Sequence, residues 1–123
     1  MLKHKEITEK IIGAFYNVYN ELGKGFLESV YENALKIELE LANLKVSSQE
    51  NINVKYKGII VGEFRPDIIV NDSVIIELKA ISTLRKEHEA QILNYLKATE
   101  IEVGILLNFG DTPKFKRFIY GKK

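Results

Sequence analysis

The sequence contains no cysteine, and only two prolines and two histidines among its 123 residues. Without cysteine the chain has no disulfide, no zinc-thiolate site and no thiol nucleophile. Any metal ion must therefore be held by oxygen atoms or by His4 and His88, which are isolated from each other in the sequence. The chain also lacks a signal-type amino terminus and any run of about 20 apolar residues. These absences predict a soluble, cytoplasmic protein.

An excess of one charge sign is missing as well. Eighteen Lys and Arg residues face 17 Asp and Glu residues, which leaves a formal net charge of +1. Binding to a nucleic acid would therefore need a local basic patch. The tail "KFKRFIYGKK" offers one, and its basic residues are Lys114, Lys116, Arg117, Lys122 and Lys123. Two interpretations of this tail stay open: a closing strand with a solvated basic end, or a surface that contacts phosphates.

The composition, with 46% hydrophobic and 28% charged residues, is that of a single globular domain spanning residues 1–123. Apolar residues at spacings of three and four predict a first helix from Lys5 to Leu22. "GKG" at residues 23–25 interrupts that pattern, because glycine favours helix ends and turns. A second helix is predicted from about Leu27 to Ala42. Its predicted apolar stripe consists of Val30, Ala34, Ile37 and Leu41, with Tyr31 and Leu35 beside it.

Beyond the second helix, short alternating runs of β-branched and aromatic residues predict strands, with turns at residues 57–58 and 71–73. Helical spacing returns from about Lys86 to Ala98. The apolar run Val103–Phe109 predicts a buried strand. The predicted order is therefore two helices, three strands, a helix, a strand and the basic tail.

The stretch "FRPDIIVNDSVIIELKA", residues 64–80, predicts a charged hairpin. If residues 71–73 form the turn, Val70 pairs with Val74, and counting outward places Asp67 opposite Glu77. Side chains alternate between the two faces of a strand, so the even positions form an apolar face. These are Phe64, Pro66, Ile68, Val70, Val74, Ile76, Leu78 and Ala80. The other face carries Arg65, Asp67, Ile69, Ile75, Glu77 and Lys79.

Two carboxylates placed opposite each other on paired strands destabilise the sheet unless something offsets their repulsion. A divalent cation does so, and Asp67 and Glu77 offer the oxygen ligands that Mg²⁺ or Mn²⁺ prefers. Lys79 projects from the same face, where it is able to orient or deprotonate a water molecule that attacks phosphorus. The alternative is an exposed quartet of charges completed by Arg65, worth roughly 0 to 1 kcal/mol. Arg65 itself is either a phosphate contact or a partner of the acids.

Two motifs resemble known families. Pro66-Asp67, followed after nine residues by Glu77-Leu78-Lys79, resembles the signature of the PD-(D/E)XK nuclease superfamily. Gly25-x-x-Glu28-x-x-Tyr31 resembles the defining motif of the GxxExxY protein family within that superfamily. "HEAQILNYLKAT" and "VGILLNFG" are similar to that family's later segments, so the resemblance covers nearly the whole chain.

The resemblance implies an α/β, restriction-endonuclease-like fold. Its α-β-β-β-α-β core would carry an additional N-terminal helix and a mixed sheet flanked by helices. It also implies a nuclease that uses Mg²⁺ or Mn²⁺ to hydrolyse phosphodiester bonds of a nucleic acid, with DNA favoured over RNA and a homodimer as one arrangement. A non-catalytic module that retains the fold and binds nucleic acid or protein is the alternative.

The residues carried over by the resemblance have defined roles. Asp67 and Glu77 would hold the metal, Glu28 would be the acidic residue of the second helix near it, Lys79 the catalytic lysine, and Gln91 a polar residue facing the site. Glu28 also has a purely structural explanation, because an acid near a helix N-terminus stabilises the helix dipole. Tyr31 is expected in the core or beside the site. Candidate contacts to nucleic acid are Arg65, Lys114, Lys116 and Arg117.

Overall fold

Three helices and seven strands follow one another along residues 4–121, the part of the chain that the computed structural model describes. Lys122 and Lys123 of the basic tail lie outside these residues. The elements are α1 (Lys5–Leu22), α2 (Glu28–Leu41), β1 (Val46–Ser48), β2 (Ile52–Tyr56), β3 (Ile59–Phe64), β4 (Ile68–Val70), β5 (Val74–Lys79), α3 (Lys86–Ala98), β6 (Val103–Phe109) and β7 (Pro113–Ile119).

Five of the strands form a mixed sheet in the order β1-β4-β5-β6-β7. Strands β5 and β6 are parallel and are connected through α3, whereas the other neighbouring strands are antiparallel. Helices α1 and α2 cover one face of this sheet and α3 covers the other. The mixed α/β class with flanking helices is therefore confirmed. Within residues 4–121, no helix is long and apolar enough to cross a membrane.

Several local predictions are confirmed. Helix α1, helix α3 and strand β6 have the predicted bounds. The turn between β2 and β3 lies at Lys57 and Gly58, both with positive φ (52° and 81°). In the charged hairpin, Val70 pairs with Val74 across the predicted three-residue turn. These features depend on neighbours in the sequence, which explains why periodicity and turn chemistry sufficed to predict them.

The region predicted as three strands contains five, because Val46–Ser48 forms a short strand separate from β2 and because the segment leading to Asp67 is broken. Phe64 ends β3, which pairs with β2 in a separate two-stranded sheet, and Asp67 lies in a bend before β4. Pro66 explains the break, since proline lacks an N–H for strand pairing and restricts the residue before it. The prediction that Phe64 shares the face of Ile68 was wrong. Phe64 packs on the α3 side, where its ring stacks on that of Tyr95 with centroids 4.0 Å apart.

The basic tail forms β7, which pairs antiparallel with β6 at the edge of the sheet. Its interpretation as a closing strand is confirmed for residues 113–119. Lys114, Phe115 and Lys116 are consecutive exposed residues along this edge, and Arg117 is partly covered.

The predicted apolar stripe of α2 was wrong. The buried residues are Tyr31, Leu35 and Leu39, whereas Ile37 and Leu41 are 60% and 73% exposed. All three buried residues are spaced by four, so they form a valid helical stripe next to the predicted one. The rotation of the helix is set by Tyr31, whose ring stacks on Phe109 with centroids 4.4 Å apart.

The connection between α1 and α2 is anchored by Tyr31. Gly23 and Gly25 have positive φ (69° and 106°), which glycine adopts without strain. The Tyr31 hydroxyl donates a hydrogen bond to the Gly23 carbonyl oxygen (2.6 Å) and accepts one from the Phe26 N–H (3.2 Å). Tyr31 is therefore a core residue that also holds the start of α2 in place.

A second anchor lies just after β5. The Asn108 side chain is 2% exposed; its Nδ2 donates to the Ile81 carbonyl oxygen (2.9 Å), and its Oδ1 accepts from the Ile81 N–H (3.1 Å). A Cβ atom at Gly110 would lie 2.3 Å from the same carbonyl oxygen, so this position requires glycine. The chain that follows Lys79 is thus held against the end of β6.

Replacement of Tyr31 by Phe removes both hydroxyl contacts and keeps the ring stack. We expect the free energy of unfolding to fall by about 1–2 kcal/mol, because a partly buried carbonyl and a partly buried N–H lose their partner. Urea unfolding followed by circular dichroism measures the change. Tyr56→Phe, at an exposed position, is the matched control, and an equal loss in both variants would contradict the anchoring role of Tyr31.

Candidate functional site

The carboxyl groups of Asp67 and Glu77 meet at the end of the β4–β5 pair. Ile68 pairs with Ile76, so Asp67 and Glu77 are the next opposed residues. The Asp67 N–H donates to Glu77 Oε2 (3.4 Å), and the Leu78 N–H donates to Asp67 Oδ2 (2.9 Å). The opposition predicted by counting from the turn is therefore present, although Asp67 itself lies just outside the strand.

The Glu77 side chain lies inside the protein, since Glu77 is only 6% exposed. Burial raises the pKa of its carboxyl to about 9, and a hydrogen bond to the Asp67 carboxyl and the charge of Asp67 act in the same direction. The positive charge of Lys79 acts against this shift. Glu77 therefore retains its proton at neutral pH as long as no cation replaces it.

One of the two interpretations left the face that carries Glu77 exposed to solvent, with a quartet of charges on it. Instead α3 covers it: Ile69 and Ile75 pack with Ile92 in a second buried cluster. A strand such as β5, which lies between helices on both faces of a sheet, is expected to be buried on both sides. Arg65 turns away and donates a hydrogen bond to Asn51 Oδ1, so an exposed quartet does not form.

Lys79 is the last residue of β5 and is half-buried. It lies opposite Asn108 in the parallel pairing with β6. Because Asn108 fixes Ile81, the backbone on both sides of Lys79 is held in place. The positive charge of Lys79 lowers the pKa of the Glu77 carboxyl, since Glu77 lies two residues earlier on the same face of the strand.

Helix α3 brings a hydrogen-bonded pair to the site. Gln91 Nε2 donates to the Tyr95 hydroxyl oxygen (2.6 Å), one turn apart on the helix. Burial raises the pKa of Tyr95 to about 12, and the negative charge of Glu77 adds to the shift. Gln91 is exposed and reaches the carboxyl pair through Tyr95. The sequence signal for Tyr95 was its spacing of four from Gln91.

Helix α2 brings an acid that the sequence analysis did not select. Burial raises the pKa of the half-buried Glu32, and the carboxylate of Asp67 is the next largest cause. Lys36, with its Nζ 3.8 Å from Glu32 Oε2, lowers that pKa. Glu28 lies one turn earlier and is exposed. Its charge has the weakest of the effects that shift the pKa of Glu32. In the sequence, Glu32 could have been selected from its spacing of four residues from Glu28, which places both acids on one face of the helix.

The candidate basic contacts lie apart from the carboxyl pair. Lys114, Lys116 and Arg117 are on β7, two strands away from β5, or roughly 10 Å in the sheet. Lys116 Nζ lies 2.7 Å from Glu89 Oε1, so its charge is already paired. Arg117 is half-buried and Lys114 is exposed.

The carboxyl pair fits part of a metal site. Among residues 4–121, no three acidic or histidine side chains converge closely enough to form a complete set of metal ligands. However, the buried carboxyl of Glu77 is held in contact with that of Asp67, so that Glu77 keeps a proton, and a divalent cation would replace that proton. Mg²⁺ is commonly held by one or two carboxylates with water and phosphate oxygens as the remaining ligands.

The sequence of the chain matches the model of the PD-(D/E)XK nuclease superfamily over residues 5–118. The chain therefore belongs to this superfamily. Nucleases of the superfamily generally use divalent metal ions.

Two solved structures align with the chain, and the first of them is similar in fold. SSO0001 aligns with a TM-score of 0.60 and 19% sequence identity over 77% of this chain and 51% of its own, so the chain spans about half the length of that protein. The alkaline exonuclease LHK-Exo from Laribacter hongkongensis aligns with a TM-score of 0.47 and 14% identity over 98% of this chain and 73% of its own. Among curated proteins, no significant match to the chain is found.

The raised pKa of Glu77 makes stability depend on pH. The folded protein binds the Glu77 proton more tightly than the unfolded chain, so the stabilisation is complete below about pH 4.5 and is lost as the pH rises toward 9. Glu77→Gln removes this dependence. In EDTA, we therefore expect the free energy of unfolding of the variant, relative to that of the wild type, to increase as the pH rises from about 4.5 to 9. The increase is up to about 1.4 kcal/mol per pH unit.

Urea unfolding of both proteins at pH 5, 7 and 9, values chosen to span roughly the predicted range, measures this difference. Glu21→Gln, which removes an exposed acid from α1, serves as the control and should show a constant offset. A constant offset in Glu77→Gln as well would contradict a Glu77 pKa raised in the folded state.

Proposed function

We propose that the protein is a metal-dependent nuclease that hydrolyses phosphodiester bonds of nucleic acid at the Asp67–Glu77 pair. One observation carries the proposal: in a superfamily member, the buried carboxyl of Glu77 is held in contact with the partly exposed carboxyl of Asp67, and Glu77 lies two residues before Lys79 on the same strand. A structural role explains this arrangement poorly, because a buried pair of acids destabilises the fold.

Each residue of the chain has a proposed task. Asp67 and Glu77 hold a Mg²⁺ or Mn²⁺ ion, which when bound would stabilise negative charge on the phosphate and lower the pKa of a bound water. Lys79 donates a hydrogen bond that orients the attacking water toward phosphorus. Tyr95 and Gln91 keep the Glu77 carboxyl in position from the α3 side through their mutual hydrogen bond.

The role that the resemblance implies for one acidic residue of α2 is assigned to two residues, Glu32 and Glu28. Glu32, whose pKa responds to Asp67, supports the metal directly or through a water molecule. Glu28 lies one turn further out and acts on a more distant ligand of the ion, such as water. Glu28 thus keeps the role that the resemblance implies. Glu32 is added because it is half-buried and experiences the charge of the Asp67–Glu77 pair more strongly than Glu28 does.

Membership of the GxxExxY family is also part of the proposal, through Gly25, Glu28 and Tyr31. The anchoring of the α1–α2 connection by Tyr31 supports it, since the Tyr31 hydroxyl bonds Gly23 and Phe26, which lie on either side of Gly25 in that turn. DNA is proposed over RNA, and a homodimer is proposed as the form that spans a duplex. Cleavage assays on DNA and RNA of matched sequence test the preference for DNA. Sedimentation of the same samples tests whether the protein is a homodimer.

The rival function is a module that binds nucleic acid or protein without catalysis. The formal net charge of +1 favours it, because attraction of a nucleic-acid substrate depends on positive charge, and the charge of Lys116 on β7 is already paired with that of Glu89. A binding module has no need for an intact carboxyl pair, so the two functions differ in their response to its removal.

Titration of Mn²⁺, followed by electron paramagnetic resonance, tests the metal site directly. We expect saturable binding by the wild type and its loss in Asp67→Asn/Glu77→Gln, because both charged ligands are then neutral. Cleavage of DNA by Glu77→Gln alone should fall by about 100-fold or more. Glu21→Gln should match the wild type in both measurements. Equal Mn²⁺ binding by the double variant, or full activity of Glu77→Gln, contradicts the mechanism.

The two acids of α2 are distinguished by single substitutions. We expect Glu32→Gln to weaken Mn²⁺ binding by about tenfold and Glu28→Gln by about twofold or less, as is usual for groups that support metal ligands at different depths. The same titration measures both. Stronger weakening in Glu28→Gln than in Glu32→Gln would reverse the proposed assignment.

A further inference from the structure

The β2–β3 hairpin, residues 52–64, projects from the main sheet as a two-stranded ribbon. Its base is packed: Ile52 and Phe64, which pair with each other, contact the buried cluster beneath α3. Its tip is exposed around the turn at Lys57 and Gly58. The ribbon is therefore fixed at one end and open to solvent at the other.

The tip carries large apolar side chains on both faces. Tyr56, Ile59, Ile60 and Val61 are 63%, 68%, 55% and 63% exposed. Tyr56 pairs with Ile59, and Lys55 pairs with Ile60. Paired residues share a face and successive pairs alternate, so neither face of the tip is purely polar. One flat partner surface would leave one of these faces uncovered, whereas insertion into a groove covers both.

The tip is also positively charged. Lys55 and Lys57 are exposed, and Lys57 Nζ lies 5.4 Å from the centre of the Tyr56 ring. Lysines beside aromatic and aliphatic side chains are complementary to nucleic acid, where phosphates flank bases and sugars. A two-stranded ribbon also has the dimensions of the major groove of a DNA duplex. Charge and shape therefore favour a duplex over a protein partner.

The base of the ribbon is connected to the candidate active site. Strand β3 ends three residues before Asp67, and the Phe64 ring stacks on Tyr95, whose hydroxyl interacts with Gln91 and Glu77. Arg65 bonds Asn51, which joins the segments that flank the two strands. At about 3.3 Å per residue, five residues of β2 reach about 17 Å, or about five base pairs along a duplex.

We propose that the β2–β3 hairpin inserts into a groove of the duplex within about five base pairs of the bond that is cleaved. Lys55 and Lys57 contact phosphates, while Tyr56 and Ile59 contact bases or sugars inside the groove. The proposal rests on the proposed nuclease function, because it takes the occupant of the hairpin to be the substrate of the Asp67–Glu77 site.

Binding of a fluorescent DNA duplex, measured by anisotropy in EDTA and in Ca²⁺ at several salt concentrations, tests the hairpin without cleavage. Tyr56→Ser/Ile59→Ser should weaken binding by about tenfold with an unchanged salt dependence. Lys55→Ala/Lys57→Ala should lower the slope of log K against log salt by about 1.8, because two phosphate contacts are lost. Controls are Ile37→Ser/Leu41→Ser and Lys5→Ala/Lys10→Ala, which alter exposed residues of the helices.

The results separate the hairpin from the catalytic site. Wild-type affinity in both hairpin variants overturns the proposal, as does a wild type that binds no duplex under either condition. A change in sedimentation of the protein alone, confined to Tyr56→Ser/Ile59→Ser, overturns it in favour of a second copy of the chain at the tip.

Cleavage assays complete the separation. Metal-dependent cleavage that Glu77→Gln abolishes, together with wild-type binding by the hairpin variants, leaves the nuclease function standing and the hairpin proposal refuted. Binding that depends on the hairpin, without cleavage in Mg²⁺ or Mn²⁺, supports the duplex contact and refutes the nuclease function.

Discussion

The contact between the carboxyl groups of Asp67 and Glu77 is the interaction around which the rest of the site is arranged. Two acids that touch, one of them buried, cannot both ionise at low cost, so one retains a proton or the pair shares a cation. The backbone helps to hold them there, because the Leu78 N–H is bonded to Asp67 Oδ2. Tyr95 from one face and Glu32 from the other both respond to the charge of the pair.

Packing on both faces of β5 offsets the unfavourable free energy of this contact. The cluster formed with α1 and α2 contains Ile76 and Leu78, and the cluster formed with α3 contains Ile75. Burial of such side chains contributes about 1.5–3 kcal/mol each, which exceeds what an exposed strand would provide. The strand is thus stabilised by its neighbours to an extent that permits an unfavourable contact between two acids near its end. Unfavourable local arrangements of this kind are common at functional sites.

Sequence reasoning was successful where structure depends on near neighbours. The bounds of α1, α3 and β6 followed from periodicity, and the opposition of Asp67 and Glu77 followed from a three-residue turn and counting. The superfamily suggested by Pro66-Asp67 and Glu77-Leu78-Lys79 is the one whose model matches the chain. The break before β4 was also accessible, since Pro66 signals it.

What could not be predicted depends on packing between distant segments. The rotation of α2 follows from the stack of Tyr31 on Phe109, residues 78 positions apart in the sequence. The proximity of Glu32 to Asp67 depends on that rotation. The burial of Glu77 depends on α3, which crosses a face that the alternating pattern of β5 alone would leave to solvent. None of these relations is encoded in local spacing.

The hydrogen bonds between the Asn108 side chain and the Ile81 backbone have an evolutionary consequence. They replace the ladder of main-chain bonds beyond the end of β5 with a side-chain clamp, and they stop at Ile81. The chain from Ser82 to Arg85 lies beyond that clamp and before α3. Within it, Leu84 packs against the cluster beneath α3 and Arg85 caps that helix, whereas Ser82 and Thr83 are exposed. A lineage carrying this fold can therefore vary these two positions while the Asn108 clamp keeps the geometry around the lysine fixed.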